Sequence, residues 1–175
     1  MEKIYIISGP AGVGKTTTAK KLATQFDHSA YIEGDLINHM VVGGYLPPWE
    51  SEELLVLTWE NIADLSINFI RGKKNVVIDY VADPEEIKRF SQKVRAIVKD
   101  IEIIYVILWV DRDELLRRDA LRIKEYQMGA RCLELMEEFE SKGIDERFFC
   151  NTTNLDPVDL NEILLEIKTN PKFNY

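Results

Sequence analysis

Cysteine is nearly missing. Cys132 and Cys150 are the only two in 175 residues, so neither a disulfide framework nor a CxxC metal pair can form. Histidine is as scarce: His28 and His39 stand apart with nothing around them that makes a metal ligand set. No apolar run approaches the roughly 20 residues of a membrane span; the longest, residues 101–110, is interrupted by Glu102. The apolar stretch 4–7 is too short for a signal-peptide core and leads straight into a glycine-rich loop, so the cytoplasm is the expected compartment. Positive charge is in deficit, with 22 Lys and Arg against 30 Asp and Glu and a net charge of −8. That argues against a broad nucleic-acid surface. No membrane or nucleic-acid partner is expected, and the chain should be a monomer or a homodimer.

What is present is a soluble globular balance, 46% hydrophobic and 30% charged, in a chain of the length of one domain. Short β-rich runs at Lys3–Ser8, Ser29–Glu33, Asn75–Asp79, 101–110 and 148–151 alternate with helical stretches at 16–26, 35–42, 50–71, from Asp83, from Asp111 to about Ser141, and from Asp156 to about Lys168. In 50–71, Trp59, Ile62, Ala63, Ser66 and Phe69 or Ile70 share a face. Asp83-Pro84-Glu85-Glu86 reads as a capping box, and Asp111-Arg112-Asp113-Glu114 repeats the signal. Alternating βα units with right-handed crossovers predict an α/β fold. Its expected core is a five-stranded parallel sheet with helices on both faces, in a single domain over 1–175.

Gly9-Pro10-Ala11-Gly12-Val13-Gly14-Lys15-Thr16 satisfies GxxxxGK[ST], between a strand and a helix as the motif requires. A chance match in a chain this long has a probability on the order of 1% or less. Glycines let the backbone wrap a polyphosphate, and the helix N-terminus offers its free N–H groups and positive dipole end to the same anion. The expected contacts are Gly9, Ala11, Gly12, Val13, Gly14, Lys15, Thr16 and Thr17. Lys15 should reach the β- and γ-phosphates of ATP, and the Thr16 hydroxyl should coordinate Mg²⁺.

Asp35 follows the second strand, where ligands of open parallel sheets bind. It could orient or deprotonate an attacking hydroxyl, or merely cap the next helix. Asp79 ends a VVID strand in the manner of a magnesium-holding aspartate, with helix capping or substrate contact as alternatives. Val110-Asp111 is a rival match, better explained as a cap. Six basic residues fall among the twenty positions from Arg112 to Arg131, and Arg118 and Arg122 have the spacing of one helix face before Gly129 breaks it. This mixed-sign segment suits a solvated, salt-bridged helix as well as a flap over phosphates.

The P-loop, the acidic GD pair about twenty residues on, the helical insert, the VVID strand and the late arginine-rich helix together resemble P-loop small-molecule kinases of the gluconate and shikimate kinase type, and the chloramphenicol phosphotransferase-like branch. The resemblance implies a three-layer P-loop NTPase fold with a substrate-binding insert at 36–72 and a helical lid at 113–140. It sets the third strand, not the fourth, beside the P-loop strand. It implies ATP and Mg²⁺ as cofactors and Asp35 as the acceptor-side base. Arg118 would lie against adenine, Arg122 would reach the phosphates, Arg131 could be a third contact, and Arg117 would turn outward. Asn151-Thr152-Thr153-Asn154 would border the base, or form only a polar turn before the last helix. The acceptor would be a small molecule, such as the sugar acid gluconate; Asn38, His39, Tyr45, Trp49 and Trp59 are its candidate contacts, each with core packing or a surface role as the alternative. The gluconate kinases' His-containing lid motif and the shikimate kinases' glycine-rich loop after the third strand are missing. An ATPase or nucleotide switch acting on a protein partner is the alternative, which the missing NKxD sequence disfavours.

Overall fold

The computed structural model of the protein describes residues 2–155 and 160–175, Tyr126 by its backbone only. Strands β1 (Lys3–Ser8), β2 (Ser29–Glu33), β3 (Asn75–Asp79), β4 (Glu102–Trp109) and β5 (Phe149–Asn151) form one parallel sheet in the order β2-β3-β1-β4-β5. β1 is therefore flanked on both sides: Ile4 pairs with Val76 of β3 and with Ile103 of β4. The expectation that only the third strand borders it is corrected. Helices α1 (Lys15–Ala23), α2 (Gly34–Asn38), α3 (Glu52–Arg71), α4 (Pro84–Ile97), α5 (Arg112–Ala120), α6 (Ala130–Ser141) and α7 (Asn161–Thr169) complete the chain. The expected start of the last helix at Asp156-Pro157 lies outside the described residues.

The sheet's alternation sorts the core into two layers, because successive strand side chains point to opposite faces. Ile4, Ile6, Val76, Ile78, Ile103 and Ile107 meet α3 and α4 through Trp59, Ile62, Ile87 and Phe90. Tyr5, Ile7, Val77, Ile104, Val106 and Leu108 meet α1, α5, α6 and α7 through Leu22, Leu115, Met136 and Leu164. A strand buried on both faces needs a continuous apolar run, which β1 and β4 supply. Each fully buried Ile or Leu contributes about 1.5–3 kcal/mol of transfer free energy.

α3 starts where the Ser51 hydroxyl accepts from Leu54 N at 3.2 Å and stops at Gly72. Ile70, not Phe69, completes its buried stripe; Phe69 is exposed. α4 has the full capping box: Asp83 accepts from the N–H groups of Glu85 and Glu86, and Glu86 accepts from Asp83 N. Such a cap is worth about 1 kcal/mol. The second expected cap is not formed. Asp111 occupies the N-cap of α5, but its side chain accepts nothing there.

Two helical expectations were too long. The stretch 35–42 shrinks to α2, and the charged segment divides into α5, a 3-10 turn at Lys124–Tyr126, and α6. Arg122 thus lies beyond the end of α5 and does not share a helix face with Arg118. The strands' C-terminal ends, at Ser8, Glu33, Asp79, Trp109 and Asn151, collect on one edge of the sheet, and the candidate site is built there.

Candidate active site

The loop from Gly9 to Gly14 carries the chain from β1 into α1. Gly9 has φ +132°, and a Cβ there would overlap the Leu108 carbonyl of β4; only glycine makes this turn without strain. α1 opens at Lys15 with no side-chain cap, so its first-turn N–H groups face whatever anion the loop encloses. Lys15 Nζ donates to Pro10 O at 3.0 Å. Desolvation holds its pKa below the ordinary lysine value, against the opposing pull of Asp79 and Asp35.

Asp35 sits in the first turn of α2, whose N-cap is Glu33. The helix-cap explanation of Asp35 is thereby removed. Although solvent reaches it, the surrounding protein raises its pKa above the ordinary aspartate value, mainly through desolvation; Lys15 opposes the rise and Asp79 adds to it. Asp79 ends β3 beside Ile7 of β1 and Glu33 of β2, and is 5% exposed. It caps no helix, since Asp83 caps α4. The Tyr31 hydroxyl lies 2.9 Å from Asp79 Oδ2 and 3.2 Å from Glu33 Oε2. Its one proton serves one carboxylate at a time, and burial together with both carboxylates raises its own pKa.

A cleft of about 590 Å³ gathers Ala11, Gly12, Gly14, Lys15, Thr16, Thr17, Asp35, Asp79 and Arg122 on its walls, with Arg131. Three expected contacts are off the cleft wall. Gly9 is committed to the turn against β4, and the Val13 side chain is buried in the core. Arg118 braces the loop from behind, donating to Val13 O at 3.1 Å, Thr152 O at 2.7 Å and Glu114 at 2.6 Å. It ties the phosphate loop to residues 151–154, where Thr152 N in turn bonds Trp109 O at 2.7 Å. Arg117 turns outward onto Glu114, whose pKa the hydrogen bonds from Arg117 and Arg118 lower to about 2. Arg131 bonds Glu134 and Glu138 at 2.8 and 3.1 Å.

The far wall holds Trp49, Leu55, Tyr80 and Glu86. A smaller hollow of about 240 Å³ between α3 and α4 shares Leu55 and Glu86 with the cleft and reaches Trp59. Among the described residues, Trp59 Nε1 is buried without a hydrogen-bond partner, which costs about 1–3 kcal/mol, while the buried Tyr80 hydroxyl and Asn38 amide lie within side-chain hydrogen-bonding reach of each other. His39 is exposed and lies against the Tyr45 ring at 5.4 Å.

Sequence reasoning missed Tyr31, Glu86 and Asp119 as parts of this region. Tyr31 was recoverable: it stands two residues before Glu33, so strand alternation puts both on one face. Glu86 was read only as half of a capping box. Asp119 is a buried carboxylate that accepts from Met128 N at 2.9 Å, Gly129 N at 2.7 Å and Arg122 at 3.3 Å; nothing in its neighbourhood of charges marks it out.

The AAA domain model AAA_18 matches residues 6–143. No curated protein matches the chain. Among solved structures, the chain is similar to a gluconokinase from Sinorhizobium meliloti 1021 (TM-score 0.64, 16% identity, 95% of this chain and 89% of that one). It is similar also to the tunicamycin resistance protein of Deinococcus radiodurans (TM-score 0.66, 18% identity, 95% and 94%). A third is the APS kinase of Mycobacterium tuberculosis, solved in complex with AMPPNP and APS (TM-score 0.68, 16% identity, 95% and 97%). These identities bear on the fold, and the family model spans most of the chain. The chain belongs to the AAA domain family AAA_18 and has the fold of the P-loop kinases.

Proposed function

We propose that the chain is an ATP-dependent phosphotransferase that moves the γ-phosphate of ATP to a hydroxyl of a small molecule. The observation that carries the reading is that Asp35, which caps nothing and has no ion-pair partner among the described residues, shares one cleft with Lys15, Thr16 and Arg122. The triphosphate lies along the loop N–H groups, with Lys15 on the β- and γ-phosphates. The acceptor hydroxyl gives its proton to Asp35 as its oxygen bonds to the γ-phosphorus. The bond to the β–γ bridging oxygen breaks, and ADP leaves. A pKa raised above that of ordinary aspartate makes Asp35 a stronger base for this step.

The Thr16 hydroxyl and the Asp79 carboxylate are hard oxygen donors of the type magnesium prefers, and Tyr31 engages Asp79 Oδ2 and so orients the carboxylate. When bound there, Mg²⁺ neutralises phosphate charge. Arg122 and Arg131 add positive charge from the segment over the cleft, whose closure would exclude water. Arg118, by holding 151–154 against the phosphate loop, forms part of the wall for the adenine.

Lys15→Ala should abolish AMPPNP binding in calorimetry, whereas Asp35→Asn should keep it and lose transfer, scored as ADP release across a panel of hydroxyl compounds. Full transfer by Asp35→Asn would overturn the assignment of the base. ATP turnover that no small acceptor stimulates would favour instead a switch acting on a protein.

A further inference from the structure

The sheet edge beside the phosphate loop carries a linked set of polar side chains that no motif announces. Tyr31 and Glu33 leave β2 on one face, two residues apart. Glu33 stands beside Asp79 in the register of β2 and β3. Lys20 lies one helical turn beyond Thr16 on α1, the spacing that puts both on one face of the helix. It reaches the same place: Lys20 Nζ is 3.6 Å from Glu33 Oε2 and 5.2 Å from the centre of the Tyr31 ring.

The Tyr31 hydroxyl has one proton and two carboxylates to choose between, Asp79 Oδ2 at 2.9 Å and Glu33 Oε2 at 3.2 Å. Two things favour Asp79. It is the nearer, and it forms no ion pair among the described residues, whereas Lys20 already offsets the charge of Glu33. A carboxylate facing a cation pulls less on a second donor, because part of its field is already answered. Asp79 lines the cleft and accepts no other hydrogen bond among the described residues. Its Oδ2 is engaged and its Oδ1 is left free. A carboxylate in that state suits one class of cation. Mg²⁺ takes single oxygens in a strict octahedron, whereas Ca²⁺ accepts both oxygens of one carboxylate in a larger, looser shell.

We propose that Tyr31 is a positioning residue that fits the cleft to Mg²⁺ rather than Ca²⁺. By holding Asp79 Oδ2 it makes the carboxylate a one-oxygen donor, and Lys20 keeps the Tyr31 proton on Asp79 by pairing with Glu33. The inference rests on the reading of Asp79 as a magnesium holder and adds a cation selectivity to it. That selectivity is set by side chains that touch the ligand and not the cation, as outer partners of metal ligands commonly do.

The test is calorimetry of the full chain with AMPPNP in the presence of Mg²⁺, Ca²⁺ or EDTA. The ratio of the affinities with the two cations is the readout, because a merely structural role would move both alike. The parent should bind AMPPNP at least tenfold tighter with Mg²⁺ than with Ca²⁺. Tyr31→Phe keeps the ring beneath Lys20 and should cut that ratio at least fivefold, with the affinity in EDTA unchanged. Lys20→Met, at an exposed position, frees Glu33 to compete for the proton, so it should lower the ratio by a smaller factor. Adding Glu33→Gln to it should restore the ratio. An unchanged ratio in Tyr31→Phe would overturn the proposal; should that variant melt well below the parent, an unchanged ratio in Lys20→Met would do so instead. Asp79→Asn separates this inference from the reading beneath it. If Asp79→Asn abolishes the metal dependence of AMPPNP binding while Tyr31→Phe leaves the ratio as it was, the proposal fails and Asp79 still holds the cation. If Asp79→Asn keeps the metal dependence, both fall.

Discussion

Truncating Asp119 to alanine tests whether one buried carboxylate sets the stability of the segment between α5 and α6, which lines the cleft. Its side chain is 4% exposed, and it accepts from the N–H groups of Met128 and Gly129 and from Arg122. A hydrogen bond to a charged acceptor is worth about 1.5–3 kcal/mol net, whereas the longer contact with the part-exposed Arg122 adds about 0–1 kcal/mol. Met128 and Gly129 are exposed, so water can reach their N–H groups once the carboxylate is gone, which favours the low end. The expected loss is about 3 kcal/mol, or roughly 6–12 °C in Tm for a chain of this size. Burial alone would raise the pKa of Asp119, but the bonds from Gly129, Met128 and Arg122 outweigh it and hold the carboxyl below its ordinary range. For a depressed pKa, the stabilisation is present above about pH 4 and is lost as pH falls through the folded value. Urea melts of the parent and Asp119→Ala at pH 7 should therefore differ by that amount, and the gap should narrow toward pH 3. A difference below about 1 kcal/mol at pH 7, or one independent of pH, would refute the argument.

Two further outcomes follow from packing and burial. Gly34→Ala should cost about 1–3 kcal/mol, because the new Cβ overlaps the Tyr80 ring; pairing it with Tyr80→Ala should give less than the sum of the two losses in urea melts. Burial raises the pKa of Glu86 to about 7, so its contribution is full below about pH 4.5 and fades as pH rises through 7. Glu86→Gln should gain on the parent in thermal melts by about 1–2 kcal/mol between pH 5 and 8, and a gap that shrinks over that range would contradict the burial argument.

Much of the fold was legible because its signals are local. The runs at Lys3–Ser8 and Asn75–Asp79 were read with their observed bounds, since a strand buried on both faces must be apolar throughout. The capping box at Asp83 was equally plain, because every interaction in it lies within one turn. Errors came where competing local signals had no tertiary arbiter. The acidic sequence at Asp111 has the letters of a cap, but the side chain accepts nothing, while its backbone N–H is taken by Thr153 Oγ1 at 2.9 Å, forty-two residues away. Arg118 and Arg122 looked like one helix face until the helix ended at Ala120.

By itself, the sequence determined the phosphate loop, because the requirement for glycine, lysine and threonine at set spacing is met within eight consecutive residues. It also determined the alternation that makes a parallel sheet. Only the tertiary structure decided which side chains face one another across that sheet's edge. Asp35, Asp79 and Tyr31 converge because β2, β3 and β1 lie side by side in register, and Glu86 enters the cleft because α4 starts beside α3. Those contacts join positions that are distant along the chain, and the cost of bringing them together is met by a core that forms only in the whole fold.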